Sequence, residues 1–140
     1  MSIPPLVTAF YERLWNAGEE AVMPELLAAE FWFRGSLGGE CRGHAAFWNY
    51  VNAVRTALAD YRCEILDCVS EDAQAFARMR FSGMHTGMFR GFHPTGLGVR
   101  WEGAALFTFE AARIRNLWVL GDLAGLDALL RANAGHSRPM

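Results

Sequence analysis

The chain has 140 residues, of which 52% are hydrophobic and 20% are charged, and its formal net charge is −2. This size suits one globular domain, which we expect to span residues 1–140, and the composition excludes a disordered chain. The 13 basic residues are all arginines, and they are scattered without a basic run, which argues against a nucleic-acid partner.

The sequence carries no evident targeting or membrane signal. Its N-terminal segment lacks a basic region and reaches Glu12 and Arg13 too early for a signal peptide. No apolar run approaches the roughly 18 residues that a membrane helix needs. Cys41, Cys63 and Cys68 form no C-x-x-C pair, which fits free thiols in a reducing compartment. We therefore expect a cytoplasmic protein that has no membrane partner.

Apolar residues at helical spacing predict three helices in the first part of the chain. The first begins at Pro4 and Pro5, which suit an initial helical turn, and ends before Gly18. A short second helix is predicted over 19–28 and a third over 44–58. Between them, "EFWFRGSLGG" predicts a brief strand that runs into a glycine-rich turn.

From Tyr61 onward the hydrophobic period changes to two, which is typical of strands. The β-rich segments are 61–69, 73–85, 98–110 and 113–122, and a last short helix is predicted over 123–132. Helices followed by consecutive strands predict an α+β domain with an antiparallel sheet. The helices would cover one face of this sheet and leave a pocket beneath them.

The strand "WEGAALFTF" is apolar at both of its alternating sets of positions, and "NLWVLGD" behaves in the same way. A strand that is apolar on both faces is buried on both faces. Since the helices cover only one face, we expect a second copy of the chain to cover the other. The sequence therefore predicts a homodimer through the outer face of the sheet.

Asp122 is a carboxylate among apolar neighbours, in "NLWVLGDLAGLDALL". Aspartate is a favoured N-cap and a helix is predicted directly after it, so a structural role is open. The alternative is catalytic. Strand parity places Asp122 on one face with Trp118 and Leu120, and if that face lines the pocket, desolvation would raise the pKa of the carboxyl and make it a stronger base. On chemical grounds alone, the capping role and the catalytic role of Asp122 are equally well supported.

His85 is the candidate histidine, because it follows Met79, Phe81 and Gly83 in strand parity and can face the pocket or a partner subunit. A hydrogen bond to a loop carbonyl is the plainer alternative. His93 lies eight residues later with no recognised ligand spacing and no carboxylate between, so we expect no metal site.

Aromatic residues make up 13% of the chain. Most belong in a core by default, but a surplus of rings around a cavity also suits a large, flat, apolar ligand. The candidate ligand-contacting residues are Tyr11, Trp15, Phe33, Trp48, Phe81, Trp101, Phe107 and Trp118.

Two motifs resemble a known family. The run from Gly83 to Gly96, "GMHTGMFRGFHPTG", is similar to G-T-H-x-G-x-F-x-G-x-P-P-T-G of the SnoaL-like polyketide cyclases, often called ester cyclases, in the nuclear-transport-factor-2-like superfamily. The second motif is W-x-x-x-D, here Trp118 to Asp122, followed by a leucine-rich helix. Other segments resemble the family in order over nearly the whole chain.

The resemblance implies a cone-shaped α+β domain, with about three N-terminal helices packed on a strongly curved mixed or antiparallel sheet around an apolar pocket. It also implies acid–base chemistry without a cofactor or metal. The best-known members close a ring by intramolecular aldol condensation, and their catalytic aspartate matches Asp122. On this resemblance we expect Asp122 and His85 to be catalytic.

The chain departs from the family pattern at several positions. Asn116 stands where family members commonly have glutamate, and "AALFTFE" lacks the usual histidine, so Thr108 or His85 would have to supply the second polar group. Other hypotheses therefore stay open beside a cyclase. These are an isomerase, dehydratase or epoxide hydrolase on the same scaffold, a non-catalytic carrier of an apolar metabolite, and a protein-interaction module whose own aromatic side chains fill the pocket.

Overall fold

A computed structural model describes residues 2–136. Helix α1 (Pro5–Ala9) continues directly into a π-helical segment (Phe10–Asn16), and a 3-10 turn (Glu20–Val22) leads into the short α2 (Met23–Leu26). The longer helices are α3 (His44–Ala57) and α4 (Leu123–His136). The strands are β1 (Leu27–Arg34), β2 (Glu40–Arg42), β3 (Leu58–Glu71), β4 (Gln74–His85), β5 (Gly98–Glu110) and β6 (Arg113–Gly121).

The six strands form one mixed sheet in the order β2-β1-β6-β5-β4-β3. All neighbours are antiparallel except β1 and β6, which run parallel. Register shifts interrupt β3 at two places, between Ala59 and Arg62 and between Ile65 and Asp67. Such bulges bend a strand and increase its twist, so they curve this sheet around the helices. The predicted α+β class is confirmed, but the sheet stays open between β2 and β3 and is not a closed barrel.

Several elements differ from the sequence prediction, and pairing between strands explains two of these differences. The second helix ends at Leu26 rather than residue 28, because Leu27 already pairs with Ile114 of β6. The strand β2 was not predicted, since "ECR" is too short to show alternation and exists only as the partner of β1. Tertiary pairing therefore decides both positions.

The core lies between the helices and the inner face of the sheet. Phe10 of the π-helical segment meets Phe107 of β5 edge-on, with ring centroids 5.7 Å apart. Phe47 of α3 contacts Phe33 of β1 at 4.7 Å. These rings are almost completely buried, so burial of aromatic surface joins the helices to the sheet.

The outer face of the sheet carries a row of apolar side chains that crosses neighbouring strands. Val69, Phe76, Leu106 and Trp118 are successive register partners from β3 to β6. Val69 is 67% exposed, Phe76 45% and Trp118 38%. We call these four residues the outer apolar row.

No helix among residues 2–136 is long and apolar enough to cross a membrane.

Candidate functional site: an aromatic cavity beneath the helices

The candidate site is a cavity between the π-helical segment, α3 and the inner face of the sheet. The cavity is small, with a volume of ≈ 20 Å³. One water needs roughly 10–15 Å³ by the same measure, so aromatic side chains fill most of the cavity. It is lined by Phe10, Tyr11, Trp15, Phe33, Ser36, Leu37, Tyr50, Val54, Tyr61, Cys63, Phe81, Leu117 and Val119.

The π-helical segment places Tyr11 and Trp15 on the cavity wall. Its i to i+5 bonding is seen where the N–H of Ala17 donates to the carbonyl of Glu12 at 3.1 Å, and such segments are frequent at functional sites. The end of the segment is fixed to its neighbours. The Asn16 amide donates to the Cys63 carbonyl at 3.1 Å and accepts from the Cys63 N–H at 2.7 Å. The Arg55 guanidinium donates to the Trp15 carbonyl at 2.6 Å.

Three phenols face this cavity, and two of them have partners. The Tyr50 hydroxyl interacts with the Leu37 backbone and the Ser36 hydroxyl. The Tyr61 hydroxyl interacts with the Cys63 thiol. The Tyr11 hydroxyl is buried and has no hydrogen-bond partner among the described residues. Since buried polar groups are nearly always paired in proteins, Tyr11 is suited to donate to a bound molecule.

Burial keeps these side chains protonated. Desolvation raises the pKa of Tyr11 and Tyr61 well above the usual range, and it raises that of Tyr50 to about 12. The same cause raises the pKa of the Cys63 thiol to about 12. Among the residues that the structure describes, the lining holds no carboxylate, imidazole or guanidinium. The cavity therefore offers neutral donors on apolar walls, which suits an uncharged ligand with a carbonyl or hydroxyl oxygen.

These shifts predict that stability falls at alkaline pH. An unfolded thiol or phenol ionises from its model value of 9.0 or 10.0, while folded Cys63 and Tyr50 hold their protons to about 12. The unfolded state then binds fewer protons, so stability that is full below about pH 9 is lost as the pH rises toward the folded values. Each group contributes a slope of up to about 1.4 kcal/mol per pH unit. Urea unfolding between neutral and alkaline pH would show this decline, and Tyr50→Phe should make it shallower.

The predicted aromatic residues divide into three groups. Tyr11, Trp15, Phe33 and Phe81 line the cavity. Trp101 and Phe107 are buried directly behind it, because Trp101 contacts Phe81 at 5.3 Å and Phe107 contacts Tyr11 at 5.8 Å between ring centroids. Trp48 and Trp118 are not part of the cavity wall.

The structure corrects the predicted placement of Trp118. On β6, Leu117 and Val119 face the cavity, while Trp118 lies on the outer face beneath the Arg34 guanidinium, 5.6 Å from the ring centroid. The error arose because both faces of this strand are apolar, so alternation alone does not say which one points inward. Trp48 lies half-buried on α3 and packs against the edge of the core.

Asp122 lies directly after β6 and acts as the N-cap of α4. Its Oδ1 accepts a hydrogen bond from the Gly125 N–H at 2.9 Å, and its carboxylate is exposed. The carboxylate is therefore not enclosed by the apolar walls of the cavity. The residue is still close to the cavity rim, because a Cβ added to the preceding Gly121 would lie 3.0 Å from Cβ of Ser36, a wall residue.

The cap predicts a distinct response to two substitutions. We expect Asp122→Ala to lower the free energy of unfolding by about 1 kcal/mol, because the Gly125 N–H loses its acceptor. Asp122→Asn should be nearly neutral, since asparagine is an equally good N-cap. Urea unfolding of the two variants measures the difference, and equal stability of both would contradict the capping role.

His85 ends β4 and is completely buried. Its backbone is paired with the 96–97 turn, because its N–H donates to the Leu97 carbonyl at 2.9 Å. Neither ring nitrogen has a hydrogen-bond partner among the described residues, so the predicted loop-carbonyl bond is not present. The imidazole does not line the cavity; it packs against Phe89, at 6.2 Å between ring centroids.

Several residues of the cavity wall were not among the predicted ligand-contacting residues. Tyr50 follows Phe47 by three residues on α3, and Tyr61 and Cys63 alternate along β3, so periodicity could have assigned all of them to the inner side. Their polar atoms gave no separate signal. Within residues 2–136, no group of three or more His, Cys, Asp or Glu side chains is placed to hold a metal ion.

Most of the chain matches a known protein family. The pattern of the SnoaL-like polyketide cyclases matches residues 5–130. This chain belongs to the SnoaL-like polyketide cyclase family. No curated protein matches it.

Solved structures share the SnoaL-like fold. A candidate polyketide cyclase from Acidithiobacillus ferrooxidans superposes with a TM-score of 0.81 at 22% identity, over 95% of this chain and 99% of that chain. IdmH from Streptomyces antibioticus, a candidate polyketide cyclase, gives 0.78 at 19% identity over 90% and 96%. A protein with a ketosteroid isomerase-like fold from Catenulispora acidiphila, in complex with trimethylamine, gives 0.77 at 14% over 91% and 92%. At these identities the likeness concerns the fold alone.

Proposed function

We propose that this SnoaL-like protein is a cofactor-independent acid–base enzyme that acts on a neutral, apolar, carbonyl-bearing small molecule bound in the aromatic cavity. The observation that carries the proposal is the Tyr11 hydroxyl, which is buried at the cavity and has no partner among the described residues. A phenol that stays protonated can donate to the carbonyl oxygen of the ligand. It would then stabilise the negative charge that collects on this oxygen when a neighbouring carbon loses a proton.

The reaction class is enolisation followed by a cyclase-type or isomerase-type step. A base removes a proton from the carbon next to the carbonyl, and the electron pair moves onto the oxygen that Tyr11 holds. The enolate carbon then either attacks a second carbonyl of the same molecule, whose oxygen takes up a proton, or is reprotonated at another position. The family match supports this class, and the neutral cavity supports an uncharged substrate.

We propose Asp122 as the base, although it does not line the cavity. It follows Gly121, which packs against Ser36 of the cavity wall and against the Trp101 ring. Only its Oδ1 has a hydrogen bond among the described residues, so the other oxygen is available to accept a proton. We do not propose His85 as the base, because in this structure its ring contacts Phe89, and Phe89 in turn contacts Trp101, which packs against Phe81 of the wall.

The proposal is tested by deuterium exchange, which needs no knowledge of the natural substrate. A two-ring aryl ketone, 1-tetralone, is incubated with the protein in D₂O, and loss of the proton signal next to the carbonyl is followed by NMR. We expect the wild type to accelerate exchange over buffer. Asp122→Asn keeps the cap and should lower this acceleration about 10²- to 10⁴-fold. Full exchange activity in Asp122→Asn would place the base elsewhere.

A non-catalytic carrier is the second candidate function. The specific observation in its favour is that no carboxylate or imidazole lines the cavity. A carrier predicts that 1-tetralone binds to the wild type without any acceleration of exchange. The small free space also favours, to a lesser degree, an interaction module, which predicts that no apolar ligand binds at all.

We propose further that the outer apolar row pairs two copies of the chain as a homodimer. Three of its four side chains are more than a third exposed, which is unusual for contiguous apolar residues of a monomer. Sedimentation velocity should give a dimer for the wild type and a monomer for Leu106→Arg, because the arginine would place a charge in the middle of the row. Met88→Arg is the control, since Met88 is also exposed but lies outside the row. A monomeric wild type at micromolar concentration would contradict the proposal.

A further inference from the structure

Two buried side chains with polar atoms contact the same phenylalanine ring, that of Phe89. The His85 imidazole is 0% exposed and Trp101 is 3% exposed. Both nitrogens of His85 and the Nε1 of Trp101 have no hydrogen-bond partner among the described residues. The Phe89 ring contacts both, with centroids 6.2 Å from His85 and 6.0 Å from Trp101. The Phe89 ring therefore packs against two residues whose buried polar atoms have no hydrogen-bond partner among the described residues.

Phe89 belongs to a hairpin that is fastened at its base and at its tip. At the base, the N–H groups of Thr86 and Gly87 donate to the Ala57 carbonyl, each at 3.0 Å. At the tip, the chain turns between Phe89 and Phe92, which bond to each other through their backbones. The Arg90 guanidinium binds the Asp127 carboxylate of α4 through two hydrogen bonds, at 2.7 and 3.0 Å. The ion pair thus ties the tip to α4, while the Phe89 ring itself packs into the core.

A continuous series of rings leads from the cavity to this place. Phe81 lines the cavity and contacts Trp101 at 5.3 Å, and Tyr61, another wall residue, is 6.4 Å from Trp101. Trp101 in turn contacts Phe89. A ligand that extends past Phe81 along Trp101 would meet the Phe89 ring first and His85 behind it.

We propose that His85 and Trp101 form a second polar subsite, which receives an oxygen at the far end of an elongated aromatic ligand and which Phe89 fills in this structure. The proposal rests on the proposed function, in which the near carbonyl of the same ligand lies at Tyr11. Trp101 Nε1–H can only donate, whereas neutral imidazole offers one donor and one acceptor. Together they suit a hydroxyl or a carbonyl oxygen. The substrate class is therefore an apolar, multi-ring compound with an oxygen at each end.

A pair of matched ligands tests the subsite. 4-Acetylbiphenyl carries only the near carbonyl, whereas 4-acetyl-4′-hydroxybiphenyl adds an oxygen at the far end. Dissociation constants are measured by isothermal titration calorimetry. In Phe89→Ala, which uncovers the subsite, we expect the hydroxylated ligand to bind about tenfold more tightly than its partner. Phe92→Ala is the control, because Phe92 is on the same hairpin but half-buried, and this variant should bind the two ligands as the wild type does.

The polar atoms are tested by a second substitution in the Phe89→Ala background. Adding His85→Phe or Trp101→Phe should abolish the preference for the hydroxylated ligand, so that the two ligands bind with equal affinity. Equal affinities of the two ligands in Phe89→Ala would overturn the subsite, as would a preference that survives both substitutions. Phe89→Leu replaces Phe89→Ala should the latter not fold.

The outcomes also separate this inference from the proposed function. If both ligands bind and bind equally, the subsite fails while the cavity proposal stands. If neither ligand binds to the wild type or to Phe89→Ala, both fail. Tyr11→Phe should weaken both ligands by the same factor and leave the preference intact, because Tyr11 contacts only the near carbonyl.

Discussion

Replacing Tyr11 with phenylalanine should slow the exchange of protons next to the ketone carbonyl by about 10²- to 10³-fold, the cost of removing one preorganised donor from an oxyanion site. The substitution removes a single oxygen from a buried ring and keeps its edge-on contacts with Phe10 and Phe107. The walls of the cavity therefore keep their shape. The loss of rate would report the hydrogen bond to the carbonyl oxygen, measured by NMR on 1-tetralone.

Tyr50→Phe is the matched control for this change. Tyr50 lines the same cavity, but its hydroxyl already interacts with Ser36 and the Leu37 backbone. We expect its removal to change the exchange rate less than tenfold and to lower stability by about 1 kcal/mol through the lost interactions. Tyr11→Phe should be neutral or slightly stabilising, because a buried hydroxyl without a partner is costly. Equal effects of the two substitutions on exchange would show that Tyr11 has no special role.

The strands with clear turns on both sides were predictable from sequence. The bounds 98–110 of β5 agree with the prediction, because "GVRWEGAALFTFE" alternates with a period of two and lies between a Gly/Pro-rich turn and the 111–112 connection. Helix α3 was predicted to within one residue, since its apolar stripe recurs at 3.6-residue spacing. In both elements a single periodic signal agrees with the tertiary packing.

The inward face of β6 was not predictable in the same way. Ile114 and Leu117 of β6 are both buried although they lie three residues apart. The pairing of β5 with β6 shifts register between Thr108 and Phe109, and this shift leaves one extra residue of β6 between Ile114 and Leu117. A one-residue change of parity moves every later side chain to the other face. This is why Trp118 points outward, and why Asp122 could not be placed from alternation alone.

The sequence also could not predict which polar atoms of the cavity wall have hydrogen-bond partners. Tyr11 was predicted as a ligand-contacting residue because the chain is rich in aromatic residues, which suits an apolar ligand. Whether its hydroxyl finds a partner depends on distances to β3 and α3, which are set by the register of strands that are far apart in sequence. Tyr50 and Tyr61 fit the periodic pattern of the inner side, but their hydroxyl groups gave no separate signal of a site.

Phe47 is the residue whose truncation should cost the most stability. Its ring is completely buried and contacts Phe10, Phe31 and Phe33 at 5.8, 5.1 and 4.7 Å, and Trp15 at 5.9 Å. We expect Phe47→Ala to lower the free energy of unfolding by about 3–5 kcal/mol, because the surrounding rings belong to different elements and cannot all collapse into the space. Phe76→Ala on the outer face, where the ring is 45% exposed, should cost less than about 1 kcal/mol in a monomer.

The same substitution separates the stability of the aromatic cluster from its capacity to bind. Phe10, Trp15 and Phe33 touch Phe47 on one side and line the cavity on the other, so the space left by Phe47→Ala would join the cavity. An apolar cavity of this kind binds small aromatic molecules, and a ligand that binds only the folded state raises its stability in proportion to the logarithm of its concentration. We therefore expect benzene to raise the urea midpoint of Phe47→Ala more than that of the wild type. An equal shift of the urea midpoint in both proteins would mean that the surrounding rings close over the space left by Phe47. Contacts other than those of Phe47 would then maintain the shape of the cavity.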